Sequence, residues 1–142
     1  MRYNVQKLQK SVKFMSSENN PIQFALTIAF TDPELTNAER DDEVVQLLEA
    51  LSDHSDIDAV DRVRDPNPPE GNKSVGGFFV GMLMAEVSAT NAKKVLGFLV
   101  NRLGDKPISF EVEGNGKKLK VSASSQEELE FAMQKAREFI EA

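Results

Sequence analysis

Large apolar residues alternate with small or polar ones from Ile22 to Phe30. Ile22, Phe24, Leu26, Ile28 and Phe30 share one parity, with Gln23, Ala25, Thr27 and Ala29 between them. Successive side chains of a strand point to opposite faces, so this pattern predicts a strand with one buried face; alanine on the second face predicts one that is not fully wet. Thr31-Asp32-Pro33-Glu34 and Thr36-Asn37-Ala38-Glu39 both match the capping box, in which a hydroxyl accepts from an early backbone N–H and the glutamate reaches back. The second leads into Val44, Leu47, Leu48 and Leu51 on one helical face, ending near Asp53-His54-Ser55. Ile57 to Arg64 reads as a strand anchored by Val60 and Val63. Gly77 to Val87 is apolar on nearly every side. Such a run fits a buried strand or helix, and Met82, Leu83 and Met84 favour helix.

Thr90 reads as the N-cap of a helix over Asn91–Leu103, with Val95, Leu96, Leu99, Val100 and Leu103 on a broad apolar face. Gly104 and Pro107 stand where a helix stops. Ile108, Phe110 and Val112 alternate with Ser109, Glu111 and Glu113; Gly114-Asn115-Gly116 follows, then Lys118 to Ala123. This predicts a hairpin whose glutamates face Lys118 and Lys120. Ser124 and Ser125 each precede a glutamate by three residues and open a helix with Leu129, Ala132, Met133, Ala136 and Ile140 on its buried stripe.

The expected order is β-α-β-α-β-β-α: an α+β fold with a sheet of about four strands and helices mainly on one face, a ferredoxin-like-type sandwich. Residues 22–142 read as one domain, and 142 residues suffice for an unstapled core. Residues 1–21 read as an N-terminal extension. Val5, Leu8, Val12 and Met15 recur at helical spacing, which fits a short amphipathic helix or a flexible terminus. Ser16-Ser17-Glu18-Asn19-Asn20-Pro21 is a turn-rich link to the first strand.

Net charge narrows the partners. At −6, with a pI near 4.9, the chain lacks the basic stripe of a nucleic-acid surface and is not suited to anionic membranes. The absence of cysteine excludes disulfides, thiolate metal sites and cysteine nucleophiles, and fits a cytoplasmic protein. Met1 to Lys13 has no continuous apolar core, so no signal peptide is expected. The most apolar run, Val75–Ala85, is shorter than the roughly 20 residues a membrane span needs.

Catalytic patterns fail one by one. His54, the only histidine, sits near a helix C-terminus, where an imidazolium is favoured, but the sequence points to no nucleophile and no orienting group. Asp53, Asp56, Asp58 and Asp61 form an acidic cluster. Val60 and Asp61 break the EF-hand pattern, so a solvated acidic turn is the expectation. Gly71-Asn72-Lys73-Ser74 lacks the glycine frame of a phosphate loop, and Asn72 stands where a nucleophile elbow needs glycine. A strand, not a helix, follows Gly114-Asn115-Gly116, which removes it as a dinucleotide site. Phe78, Phe79, Met82 and Met84 are expected in the core; exposed, they would make an adaptable contact surface. No cofactor or metal is expected.

What remains is the segment from Asp58 to Gly77. A short strand empties into Asp65-Pro66-Asn67-Pro68-Pro69-Glu70-Gly71-Asn72-Lys73, and Gly76-Gly77 opens the apolar stretch behind it. Prolines lower the entropy lost when such a loop is ordered on binding. Asp65, Pro66, Asn67, Pro68, Pro69, Glu70, Asn72 and Lys73 are therefore the candidate partner-binding residues.

This segment, with the Val44–Leu51 helix before it and Val95–Leu103 and the Ile108–Val121 hairpin after it, resembles the effector-associated constant component family of bacterial conflict systems. The likeness runs from about Phe24 to the C-terminus; the tryptophan that the family carries in its second apolar helix is absent here. The resemblance implies a non-enzymatic adaptor or regulatory component whose protein partner is a peptidase or a signalling NTPase effector. The alternative is a small-molecule-sensing α+β regulatory domain. A homodimer through Phe24–Phe30, read as a sheet edge, is a further expectation.

Overall fold

The computed structural model describes residues 22–67 and 77–142, so the expectation for residues 1–21 lies outside the described residues. Among the described residues, five strands and three helices follow one another as β1 (Gln23–Phe30), α1 (Asn37–Ser52), β2 (Ala59–Arg64), β3 (Phe78–Ser88), α2 (Ala89–Leu103), β4 (Ile108–Gly114), β5 (Lys117–Ala123) and α3 (Gln126–Glu141). The strands form one sheet in the order β2-β3-β1-β4-β5, with every neighbouring pair antiparallel. The fold is α+β, as expected, with five strands instead of about four.

The extra strand is the Gly77–Val87 stretch, which the composition favours as helix. β3 lies between β1 and β2, and ladders on both sides decide its conformation over the helical preference of Leu and Met. Its buried side chains alternate: Leu83, Ala85 and Val87 face the helices, while Met82 and Met84 belong to the other face. The stretch reads as apolar all round because that second face also carries apolar groups.

Phe24–Phe30 is also not an edge. β1 is the central strand, paired with β3 and β4, so a dimer through its edge is ruled out. The edges are β2, with Asp61, Arg62 and Arg64, and β5, with three lysines, the charged composition that discourages edge pairing.

All three helices cover one face. Phe24, Leu26, Ile28 and Phe30 of β1, Leu83 and Val87 of β3, and Ile108, Phe110 and Val112 of β4 form a single buried cluster with Val44, Leu47 and Leu51 of α1, Val95, Leu96 and Leu99 of α2, and Leu129 and Met133 of α3. At about 1.5–3 kcal/mol per fully buried large side chain, this layer dominates the favourable side of folding. Among the described residues, no helix is long and apolar enough to cross a membrane.

The helix ends follow local chemistry. Thr36 and Glu39 form both bonds of a capping box at α1 (3.1 and 2.8 Å). The earlier match, Thr31–Glu34, starts no helix; Asp32 instead accepts from the Glu34 N–H at 3.0 Å and closes a turn. α2 begins one residue after Ser88, not at the expected Thr90 cap. Ser88 Oγ lies 3.0 Å from Thr90 Oγ1, so these hydroxyls face each other instead of the backbone. Ser125 caps α3 by accepting from the Glu128 N–H at 3.2 Å, and Glu128 reaches back to the Ser124 N–H at 2.7 Å.

Candidate functional site

The loop singled out by the sequence joins the edge strand β2 to β3. Asp65, Pro66 and Asn67 are described; Pro68, Pro69, Glu70, Asn72 and Lys73 lie outside the described residues. The loop leaves the sheet through a closed gate: the Asp65 N–H donates to the Gly77 carbonyl at 2.6 Å. The Asp65 carboxylate accepts from the Asn67 N–H at 2.9 Å, the local turn that an aspartate before proline favours. Pro66 and Asn67 are exposed.

Beneath this gate the sheet is irregular. The β2–β3 register shifts between Arg62 and Arg64, and Gly81 adopts φ +72° inside β3, a conformation that glycine reaches without strain. A Cβ at Gly81 would lie 3.2 Å from Arg40 Cβ and 3.5 Å from the Phe30 carbonyl oxygen, so the strand passes close under α1. One oxygen holds the irregularity in place. Asp41 Oδ1, on α1, accepts from the Gly81 N–H at 2.8 Å and from Arg62 Nη2 at 2.8 Å. Asp41 thus takes up a backbone donor that the bulge frees from the ladder and neutralises a half-buried guanidinium.

Arg62 and Arg64 both approach the Phe78 ring, at 5.1 and 4.8 Å from its centroid. A cation within about 6 Å of an aromatic face is attracted by the ring quadrupole. The loop base therefore presents two guanidiniums around one ring, with Phe79 beside them 37% exposed. Phe78 belongs to the apolar set that the sequence marked as core or contact surface; Asp41, Arg62 and Gly81 were not among the sequence candidates. The one signal for them is Gly81, a residue without a side chain in the middle of a dense apolar stretch.

His54 stands elsewhere, in the α1–β2 connection. Its Nδ1 accepts from the Asp56 N–H at 3.3 Å, and its ring packs edge-on against Phe98 at 5.0 Å. These contacts position a turn. Among the described residues, no three His, Cys, Asp or Glu side chains converge as a metal ion would need, so the Asp53–Asp61 aspartates form no shared ligand set.

A separate hollow of about 210 Å³ opens at the same end of the sheet, beside the start of β4, lined by Phe30, Asp32, Leu35, Glu43, Lys106 and Pro107. Lys106 Nζ reaches Glu43 Oε1 across it at 3.3 Å. It is smaller than the roughly 300 Å³ at which sites for drug-sized ligands begin.

Comparison with family models, with curated proteins and with solved structures gave no match to this chain.

Proposed function

We propose that the chain is a non-enzymatic adaptor or regulatory component of a bacterial conflict or signalling system, working through protein–protein contacts at the β2–β3 hairpin end. On this reading β1 to β4 with α1 and α2 make a ferredoxin-like unit, and β5 and α3 extend it. The observation that carries the proposal is the build of the loop base. Asp41 clamps the bulge from below, the Asp65–Gly77 bond closes the stem, and Arg64, Pro66, Asn67 and Phe79 stand at the surface above it. A stiff platform offering guanidinium and aromatic groups loses little entropy on binding and has the composition of interface anchors. The family resemblance supplies the partner class, a peptidase or signalling NTPase effector encoded nearby.

The test is a binding measurement with the proteins encoded beside this one. Replacing Pro66–Glu70 by a glycine-serine segment of equal length, or Phe79 by Asp, is expected to weaken binding at least about tenfold, the loss of roughly 1.4 kcal/mol that one anchor supplies. Unchanged affinity in both variants would remove the hairpin end as the site. The sensor alternative draws on the hollow bridged by Lys106 and Glu43; a metabolite that raises the melting temperature of the native chain but not of Lys106→Met would favour it.

A further inference from the structure

The sheet has a second face that none of the three helices covers. Its side chains fall into cross-strand rows set by the register. One row runs Ala59, Glu86, Ala25, Glu113, Lys118; the next Asp61, Met84, Thr27, Glu111, Lys120; the third contains Met82, Ala29, Ser109 and Ser122. Along β1 and β3 the middle of this face is apolar or small: Ala25, Thr27 and Ala29 are half-buried and Met84 is 37% exposed. A shallow depression lined by Ala59, Val60, Asp61, Met84 and Glu86 lies beside them. Carboxylates rim the strip, Asp61 and Glu86 on one side and Glu111 and Glu113 on the other. Lys118 is paired with Glu111 at 3.0 Å, which leaves the rim acidic in balance.

The chain outside the described residues matches this strip in charge, length and attachment. Residues 1–21 contain Arg2, Lys7, Lys10 and Lys13 against Glu18 alone, a net +3, so the rest of a chain of net −6 carries −9. Val5, Leu8, Val12 and Met15 make an apolar stripe at helical spacing; in such a helix Arg2 and Lys13 flank one side of the stripe and Lys7 the other. The segment joins the body at Ile22, whose carbonyl accepts from the Ala89 N–H at 2.8 Å and which leads into the central strand. It is therefore rooted midway across the sheet, at the end where the Glu86–Ala25–Glu113 row lies. A helix over residues 3–15 would span about 20 Å. An eight-residue strand such as β1 spans about 26 Å. The six residues 16–21 reach up to about 20 Å, enough to turn the segment back over the sheet.

We propose that residues 1–21 dock on the open face of the sheet, with Leu8 and Val12 over Met82 and Met84 and the basic side chains against Asp61, Glu86 and Glu113. The sheet then becomes the middle layer of the molecule. The test exploits the absence of cysteine. In the full chain, Leu8→Cys is combined with Met84→Cys, or, as a control on the helical side, with Lys135→Cys; Met15→Cys with Glu113→Cys is an independent second pair. Each is treated with a short bismaleimide at about 10 μM protein. Tethered groups meet at millimolar effective concentration, so the two docking pairs are expected to give a cross-linked monomer about tenfold in excess over the control. Equal yields in docking and control pairs would overturn the proposal. So would covalent dimer as the main product, which would assign the face to a second copy. Adding Val5→Asp and Val12→Asp to the docking pairs is expected to bring their yield down to the control's; an unaltered yield would show that the apolar stripe is not what docks.

Discussion

The two hairpins of this sheet, β4–β5 and β2–β3, do the same topological task by opposite means. β4 and β5 keep one register from Ile108↔Ala123 to Gly114↔Lys117. They turn through two residues, Asn115 and Gly116, both at positive φ (54° and 75°), the geometry whose twist matches that of the strands. β2 and β3 shift register, contain a positive-φ glycine within a strand, and are joined by the proline-bearing loop. The first hairpin is stable through its own turn chemistry and ladder. The second is held from outside, by Asp41 of α1. A hairpin end that depends on a side chain from another element can carry a long loop without that loop needing turn propensity of its own, which is the arrangement expected where the loop serves contacts.

The comparison breaks most directly at Asp41. Asp41→Ala removes the acceptor for both the Gly81 N–H and Arg62, and leaves a guanidinium side chain that is 19% exposed without its carboxylate. With charge-assisted bonds worth roughly 1.5–3 kcal/mol and this pair partly open to solvent, about 2–3 kcal/mol of stability should be lost in denaturant unfolding. In a double-mutant cycle with Arg62→Ala the two losses should fall short of additive, because they share one interaction. A loss below about 0.5 kcal/mol would place Asp41 among ordinary surface charges, and the β2–β3 hairpin would then need no external support.

Next in size is a pair of glycine substitutions, one in each hairpin. Gly81→Ala meets a disfavoured φ and also a Cβ contact at 3.2 Å with Arg40 on α1, whereas Gly116→Ala meets the disfavoured φ with nothing within 4 Å. The first should cost about 2 kcal/mol and the second about 1 kcal/mol, the difference being the steric share. Equal costs would mean that α1 gives way freely over the bulge. Hydrogen exchange should separate the sites further: Gly81→Ala should speed exchange in β2 and β3, Gly116→Ala only in β4 and β5.

The same contrast explains what could be read in the residues. The β4–β5 hairpin was legible because its signals are local: alternation on both sides of Asn-Gly, and serines followed three residues later by glutamates at the start of α3. The Thr36–Glu39 box and the Gly104 stop were legible for the same reason. Strand β3 was not. Met82, Leu83 and Met84 favour a helix locally, and only the ladders from β1 and β2 override them, so the deciding interactions lie far away in sequence. The central place of β1 was hidden likewise, since its alternation shows a buried face but not the number of neighbours. Ala25 and Ala29 did show that the second face is not a fully wet one. At the candidate site, Asp65–Asn67 drew attention through proline and turn chemistry, while Asp41 and Arg62, 21 residues apart, carry no pattern that would pair them.

The smallest effect belongs to the regular hairpin and concerns its charge. The register sets Glu111 opposite Lys120 and Glu113 opposite Lys118, yet the ion pair runs diagonally, Lys118 to Glu111 at 3.0 Å. The hydrogen bond to Glu111, then the charges of Glu111 and Glu113, hold the Lys118 pKa above the ordinary lysine value of 10.5. A raised folded-state pKa means that the folded chain binds the proton more tightly than the unfolded one. The contribution is therefore fully present below the ordinary lysine value, which the unfolded chain keeps, and is lost as pH rises through the folded pKa. Lys118 is exposed, so solvent screens the pair and added salt should shrink the effect. The unfolding midpoints of the native chain and of Lys118→Gln should differ slightly at pH 8 and low salt, and converge above the folded pKa or in 1 M salt. A difference that stays constant through the alkaline range would assign the stabilisation to packing of the lysine stem, and this hairpin would then owe nothing to charge.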